Sequence, residues 1–351
     1  MSLLHQIALT KTTGVGPIVA RHLLAEFGSA EAVFTATKKQ LRAIPYVRAS
    51  MADSITAKDV LSAAEAELEF VEKHGIRLLF FSEKNYPRRL RACADAPILL
   101  YYKGNADLDN ARVVSVVGTR NATAYGMSLC QELVQGLQAH GALVVSGLAH
   151  GIDSHAHRAA LAHNVPTVGV LGHGLDRIYP AANRNMAARM LDNGGLLTEF
   201  PSGTTPERTN FPMRNRIIAG LADVTVVVEA AFKGGALITA EIANSYNRDV
   251  CAFPGNTQQE FSAGCNYLIK THRAHIAQTR CDQIGNMQFI GCGAGTQGVN
   301  THITKAFGIR HGANAAGIQN DQKDSFHSHL TSFAQCSNDT GHNQWPIVYR
   351  Q

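Results

Sequence analysis

The sequence lacks the features that would place it in a membrane, a disulfide framework or a standard nucleotide-binding class. No apolar run approaches the ~20 residues that span a bilayer. The N-terminus, MSLLHQIALTKT, has no basic start followed by a long apolar stretch, as a signal peptide would. The seven cysteines show no CxxC pair and no regular spacing, which argues against a zinc module or a disulfide scaffold. We therefore expect a cytoplasmic protein with reduced thiols, no membrane contact and no metal.

Two nucleotide motifs are also missing from the strand-helix region of residues 111–285, and charge is sparse. Neither GxGxxG nor GxxxxGKS/T occurs there, so a dinucleotide site and a P-loop are disfavoured and no cofactor is predicted. Charged residues make up 17% of the chain and hydrophobic residues 45%, with a formal net charge of +5. At 351 residues the chain allows two or three domains. The mild positive charge permits an anionic partner, but nucleic-acid binding requires that charge to be gathered on one face.

Residues 1–75 are predicted to form a small helical domain. A Gly-Val-Gly-Pro turn at residues 14–17 and a second turn in LRAIPYV at residues 41–47 separate amphipathic stretches. Paired helices around short glycine turns are typical of a SAM-like or helix-hairpin-helix bundle, whose turn N–H groups can hold a DNA phosphate. A helical bundle without DNA contact is the alternative. The glutamates of the last helix are interpreted as a solvated face: Glu65, Glu67, Glu69 and Glu72.

A different pattern follows, in which short apolar runs alternate with helical stretches. Residues 76–110 are predicted to be a connecting segment, with strands in IRLLFF and ILLYYKGN, that leads into a core over residues 111–285. The core runs are apolar almost throughout, as in strands covered on both faces. The β-α alternation predicts an α/β fold with a doubly wound parallel sheet. The predicted strands are 112–118, 141–147, 166–172, 195–200, 223–230 and 249–255, and the helices 125–139, 153–163, 181–193, 212–221 and 236–246.

Residues 286–351 differ again. They show weak periodicity and are rich in Gly, Gln and Asn, which predicts an atypical tail that is disordered or loosely packed. No winged-helix domain is predicted there. The five histidines of this stretch have no accompanying acidic or thiol ligands at a familiar spacing, so they do not indicate a metal site.

Glycine-rich turns follow several of the predicted strands. In open α/β sheets, ligands bind beyond the carboxyl ends of the strands. Glycine lets the backbone approach an oxyanion closely, and helix N-termini offer free N–H groups. Three such turns at one sheet edge predict a phosphate-binding site. Its candidate residues are Gly118, Thr119, Arg120, Ser146, Gly147, Lys233, Gly234 and Gly235.

The segment NFPMRNRIIAGLA, residues 210–222, carries arginines near the start of a predicted helix. If Pro212 is its first residue, Arg214 and Arg216 lie where the helix dipole disfavours cations, by about 0.3–1 kcal/mol each. A bound anion would offset this cost. We therefore predict a basic, phosphate-sized pocket at the same sheet edge, with Phe211 as a base-stacking surface. The set is Arg208, Arg214 and Arg216 with Arg120 and Lys233. The alternative is that an arginine pairs with an acid such as Asp223 or Glu229, and that Phe211 is core.

Ordered motifs over residues 1–285 resemble the DprA/Smf family of DNA-processing proteins. They include SVVGTRNAT, VVSGLAHGIDSHAHRAAL, GVLGHGLDRIYPAANRNMA and PERTNFPMRNRIIAGLADVTVVVEAAFKGGALITAEIA. The resemblance implies an extended Rossmann-like core that binds single-stranded DNA without cleaving it. It also implies a homodimer formed through that core and the loading of the RecA recombinase during natural transformation. Carried over by motif position, the DNA-binding residues are Arg120, Arg208, Phe211, Arg214, Asn215 and Arg216.

A second hypothesis is enzymatic. The lysine-decarboxylase-like phosphoribohydrolases share this fold and carry a Gly-Gly turn with a glutamate seven residues on. Gly234 and Glu241 have that spacing, and such a carboxylate could stabilise an oxocarbenium-like transition state. The rest of that signature is replaced here by Lys233 and by ALIT. A glutamate near a helix start also has a structural explanation, because it favours the helix dipole. We therefore rank the non-catalytic DNA-binding function first.

Overall fold

A computed structural model of the chain describes residues 2–278. The predictions for the tail, residues 286–351, lie outside these residues. The N-terminal helices follow short turns, as predicted. Pro17 is the first residue of its helix, directly after the Gly14–Gly16 turn, and Gly14 has a φ of +85° that favours glycine. The helices are α1 Leu3–Lys11, α2 Pro17–Phe27, α3 Ala30–Thr35, α4 Lys38–Arg42, α5 Ala49–Thr56 and α6 Lys58–Lys73.

A nine-stranded sheet forms the centre of the remaining described chain. Its strands are β1 Arg77–Phe80, β2 Leu99–Gly104, β3 Val113–Val117, β4 Leu143–Ser146, β5 Thr167–Val170, β6 Gly194–Thr198, β7 Val224–Val227, β8 Asp249–Ala252 and β9 His275–Ile276. The helices between them are α7 Arg88–Arg91, α8 Ala124–Gln138, α9 Ile152–Ala162, α10 Arg184–Met190, α11 Asn210–Leu221, α12 Gly235–Ser245 and α13 Glu260–Lys270. A short 3-10 turn, Ala181–Asn183, precedes α10.

The strand order is β1-β2-β6-β5-β4-β3-β7-β8-β9, and pairing is parallel from β6 through β9. The chain builds outward from β3 through β4, β5 and β6, and then returns to the other side of β3 to add β7 and β8. This reversal makes the gap between β3 and β7 the topological switch point, where doubly wound sheets bind ligands. The predicted fold class, a Rossmann-like doubly wound sheet, is confirmed.

Residues 76–110 do more than connect the domains. β1 pairs antiparallel with β2, and β2 pairs antiparallel with β6, with Tyr101 opposite Thr198. This segment therefore extends the sheet by two strands beyond the parallel part.

Helices cover both faces of the parallel strands. Along β3, Val113 and Val117 pack into a core with α11, α12 and α13, whereas Val114 and Val116 pack on the other face with α8 and α9. Because successive side chains of a strand point to opposite faces, both sets must be apolar. This explains why the core runs show no alternation of apolar and polar residues.

Two general expectations can be compared with residues 2–278. Within them, no helix combines the length and the apolar character needed to cross a bilayer. The cysteines in this part, Cys93, Cys130, Cys251 and Cys265, are unpaired and buried. Burial raises their pKa values, which keeps these thiols protonated.

The glutamates of α6 are not uniformly solvated, and for Glu67 the prediction is wrong. Glu67 is only 3% exposed. It accepts hydrogen bonds from the backbone N–H and the hydroxyl of Ser202 at 2.8 and 2.7 Å, and it pairs with Lys11 at 3.4 Å. Ser202 lies between β6 and α11, so this carboxylate joins the helical region to a loop of the core.

We expect Glu67→Ala to lower the free energy of unfolding by about 1–3 kcal/mol, because the Ser202 N–H loses its partner. Chemical denaturation measures the change. The control is Glu69→Ala, since Glu69 lies on the exposed side of the same helix. Equal stability of the two variants would show that the Glu67–Ser202 contact contributes nothing.

Candidate nucleic-acid interface

A cavity of about 770 Å³ opens at the carboxyl ends of β3 and β7. Its walls come from the turns after these strands, from the N-terminal part of α11 and from the first turn of α12. In the first turn of α12 the Leu237 N–H donates to the Gly234 carbonyl at 3.1 Å, whereas the preceding N–H groups have no intrahelical partner, so this wall offers backbone donors. The predicted residues that line the cavity are Gly118, Thr119, Arg120, Arg208, Phe211, Arg214, Asn215, Gly234 and Gly235.

Helix α11 begins at Asn210, earlier than the sequence predicted. Pro212 is therefore its third residue, which is tolerated because the first N–H groups of a helix have no intrahelical acceptor. Arg214 and Arg216 fall in the second turn, beyond the reach of most of the dipole penalty. Contrary to the expectation from the sequence, the two arginines therefore do not lie at the unfavourable end of the helix dipole. Their roles depend instead on the groups that surround each side chain.

Arg214 lies under the cavity and is only 4% exposed. One guanidinium nitrogen, Nη1, donates to the carbonyl of Val170 at 2.7 Å, and Nε has no hydrogen-bond partner within residues 2–278. Burial lowers the Arg214 pKa to about 10, while Asp153 opposes this shift. The side chain is therefore charged at neutral pH. Burial also raises the pKa of Asp153, although the Arg214 charge works against that shift.

Gly147 makes space for the buried Arg214 side chain. A Cβ atom at position 147 would lie 1.9 Å from Arg214 Nη1 and 2.6 Å from Asp153 Oδ2. Because Gly147 has no side chain, the Arg214 guanidinium can lie directly against the backbone at this position. Gly147 was predicted to admit a phosphate, but the group that approaches it is Arg214.

The prediction that Arg216 binds a phosphate in this pocket is wrong for this structure. Arg216 is 9% exposed and does not line the cavity. Its guanidinium forms a close ion pair with Glu199 and donates to the Asp95 carbonyl at 2.8 Å. The acid differs from those that the alternative named, since Asp223 pairs with Arg89 and Glu229 accepts bonds from Thr123.

Two further predicted residues lie outside the cavity. Ser146 is fully buried, and its hydroxyl donates to the Val116 carbonyl at 2.6 Å, within the sheet. Lys233 is exposed but is not part of the cavity wall. Ser146 was misassigned because its position at a strand end does not reveal the direction of its side chain.

Arg120 and Arg208 are the accessible cations of the cavity. Both are exposed, and neither forms an ion pair with a carboxylate within residues 2–278. Arg120 lies over the Phe211 ring, with its Cζ 5.6 Å from the ring centroid. These two exposed arginines have no acidic partner among the described residues, and the nearby Arg214 is buried and charged. The cavity therefore carries positive charge that an anionic ligand would neutralise.

Tyr179 is a cavity residue that the sequence analysis did not single out. It is 50% exposed, and its ring centroid lies 6.1 Å from that of Phe211. Its backbone N–H donates to His173 Nε2 at 3.3 Å, so His173 Nδ1 carries the proton that is donated to the Gly174 carbonyl at 2.9 Å. Burial lowers the His173 pKa, which favours this neutral form. Tyr179 lies in the connection that follows β5. The rule that ligands bind beyond the carboxyl ends of the strands would have identified it if it had been applied to β5 as well.

Glu241, the residue on which the enzymatic hypothesis depends, does not line the cavity. It lies beyond the first turn of α12 and pairs with Arg273 at 2.5 Å, with both side chains about half exposed. The structural explanation also needs correction, because Glu241 is too far along α12 to cap its N-terminus. Glu241 acts instead as a surface partner of Arg273.

The fold and the site together define a doubly wound α/β protein with a basic, aromatic cavity at its topological switch point. Residues 77–288 match the family model described as DNA recombination-mediator protein A. The chain belongs to this family, which confirms the resemblance to DprA/Smf proteins.

Similar proteins extend this comparison. Protein Smf of a Synechocystis species is 37% identical over 271 residues, which cover 75% of this chain and 67% of the relative. The X-ray structure of DNA processing protein A from Streptococcus pneumoniae has a TM-score of 0.65 and 32% identity, covering 78% of this chain and 94% of that one. DNA processing protein A from Helicobacter pylori, whose solved structure addresses its single-stranded DNA binding mode, has a TM-score of 0.53 and 29% identity over 57% of this chain and 90% of that chain.

We expect Arg216→Ala to lower the free energy of unfolding by roughly 3 kcal/mol, because Glu199 would keep a buried carboxylate without its partner. Arg208→Ala is the matched control, since Arg208 is exposed and has no acidic partner among the described residues. Chemical denaturation of both variants measures the difference. If Arg216→Ala unfolds at the same denaturant concentration as Arg208→Ala, the Arg216–Glu199 pair has no structural role.

Proposed function

We propose that this protein is a recombination mediator that binds single-stranded DNA in the cavity at the switch point. The observation that carries the proposal is that exposed arginines, which form no ion pair within residues 2–278, line the same cavity as aromatic rings. Arg120 and Arg208 provide phosphate contacts, and Phe211 and Tyr179 provide ring surface. The single-stranded DNA binding mode addressed for the Helicobacter pylori relative supports the same class of ligand.

The geometry favours a single strand over a duplex. Stacking on an aromatic side chain requires a base whose face is free, which a paired and stacked duplex does not offer. An arginine can donate two parallel hydrogen bonds to a phosphate without reading the base. The residues of this cavity therefore suit a flexible strand and give little sequence preference.

The further parts of the proposal rest on membership of the family. We propose that the protein protects incoming single strands and loads RecA onto them during natural transformation. It does so in the cytoplasm, as a homodimer formed through the Rossmann-like core. Catalysis is not part of this function, and the placement of Glu241 outside the cavity supports that view.

We expect tighter binding to a single-stranded oligonucleotide than to the duplex of the same sequence at matched salt. Gel shifts or fluorescence anisotropy with both labelled DNAs test this preference. The same sample is incubated with nucleoside monophosphates, from which the proposal expects no release of free base. Equal affinity for both DNAs would contradict single-strand recognition, and release of base that Glu241→Gln abolishes would favour the enzyme.

We expect Arg120→Ala and Arg208→Ala each to reduce the slope of log affinity against log salt by roughly 0.7, the value for one phosphate contact on a single strand. Their thermal stability should remain that of the parent, because neither side chain has an ion pair to lose in the described structure. Arg189→Ala is the control, since Arg189 is an exposed arginine of α10 outside the cavity. Reduced slopes in all three variants would indicate diffuse attraction rather than contacts in the cavity.

A further inference from the structure

Tyr179 presents a half-exposed aromatic ring to the cavity. The exposed aromatic residues of the described chain are Tyr46, Tyr125, Tyr179 and Phe232, and of these only Tyr179 lines the cavity. No hydrogen bond involves its hydroxyl within residues 2–278. Half of an aromatic side chain is thus left in contact with water, at the expense of the apolar burial that the ring could otherwise gain.

Phe211 offers less free surface than Tyr179. A Cβ atom on Gly172 would lie 3.1 Å from Phe211 Cδ1, so the ring packs closely against the backbone there. Arg120 and Arg214 lie over the ring, with Cζ atoms 5.6 and 6.0 Å from its centroid. Phe211 is consequently only partly exposed.

The two rings form one surface rather than a clamp. Their centroids are 6.1 Å apart and their planes are inclined by 33°, which is the separation of two aromatic rings in direct contact. A base cannot enter between rings that already touch. Stacking on Tyr179 must therefore use ring surface that does not contact Phe211. The backbone N–H of Tyr179, which donates to His173 Nε2 at 3.3 Å, anchors the residue at the cavity wall.

From the exposed ring of Tyr179 against Phe211 on the wall of the basic cavity, we infer that Tyr179 is a base-stacking residue that carries the nucleobase next to the one at Phe211. The inference rests on the proposed binding of single-stranded DNA and adds a residue to it. The ligand is a base of any type, since every base offers a π face. The backbone phosphate of the same nucleotide remains within the positive field of Arg120 and Arg208.

The test compares two labelled probes of equal length, an oligo-dT strand and an abasic deoxyribose-phosphate strand. Tyr179→Leu should bind oligo-dT about 10-fold more weakly than the parent, within the range found for one stacked base. It should bind the abasic strand as the parent does, and its salt slope should be unchanged, because stacking releases no counterions. Tyr179→Phe should match the parent on both probes, since only the hydroxyl is lost.

Two further variants complete the design. Tyr125→Leu is the control, because Tyr125 is an exposed tyrosine outside the cavity; it should bind both probes as the parent does. Tyr179→Trp should retain binding, and its added indole fluorescence should change with oligo-dT but not with the abasic strand. This signal tests the inference even if Tyr179→Leu fails to fold.

Two outcomes would overturn the inference. One is oligo-dT affinity of Tyr179→Leu equal to that of the parent, and the other is an equal loss on both probes. If the parent protein binds oligo-dT, either result contradicts only the inference about Tyr179 and leaves the proposed function in place. A parent that binds neither probe would instead remove the proposed function, and the inference with it.

Discussion

A buried guanidinium is the interaction on which the candidate site depends. Arg214 reaches from α11 to the Val170 carbonyl at the end of β5 and lies beside Asp153 at the start of α9. It therefore fixes α11 against the sheet edge, and with α11 the ring of Phe211. Desolvating a charge is expensive unless polar partners compensate. A carbonyl, a nearby carboxylate and the side-chain-free backbone of Gly147 together make this placement tolerable.

The sheet could be predicted from the sequence because it follows from local rules. Runs of valine that are apolar on both faces, separated by helical stretches, define parallel strands wherever they occur. For β3, β4, β5, β7 and β8 the structure lies within the predicted bounds, and the turns after β3 and β7 do line the cavity. The same reasoning could place Arg120 and Arg208 at the cavity. Both are exposed there, so their position does not depend on a contact with a residue far away in the chain.

The roles of the other residues depend on contacts that a linear sequence does not reveal. Arg216 was assigned to the cavity together with Arg214, which is close to it in the chain. Two residues along a helix correspond to a rotation of about 200°, so the Arg216 side chain points away from that of Arg214 and meets Glu199. Glu67 was grouped with its exposed neighbours on α6 because Ser202, its partner, is far away in the chain. The loop that Glu67 holds also carries Arg208, so the helical region contributes to the position of a cavity residue.

Gly147 also restricts which sequences this fold can accept. A methyl group at position 147 and a guanidinium from position 214 cannot occupy the same space, since the Cβ atom would lie 1.9 Å from Nη1. The residue that position 147 can hold therefore depends on the residue at position 214, although the two are distant in the chain. An alanine at 147 would require both the Arg214 guanidinium and the Asp153 carboxylate to move, which would disturb the hydrogen bond from Arg214 to the Val170 carbonyl. Relatives that share the cavity are therefore expected to keep glycine at position 147 wherever position 214 holds arginine.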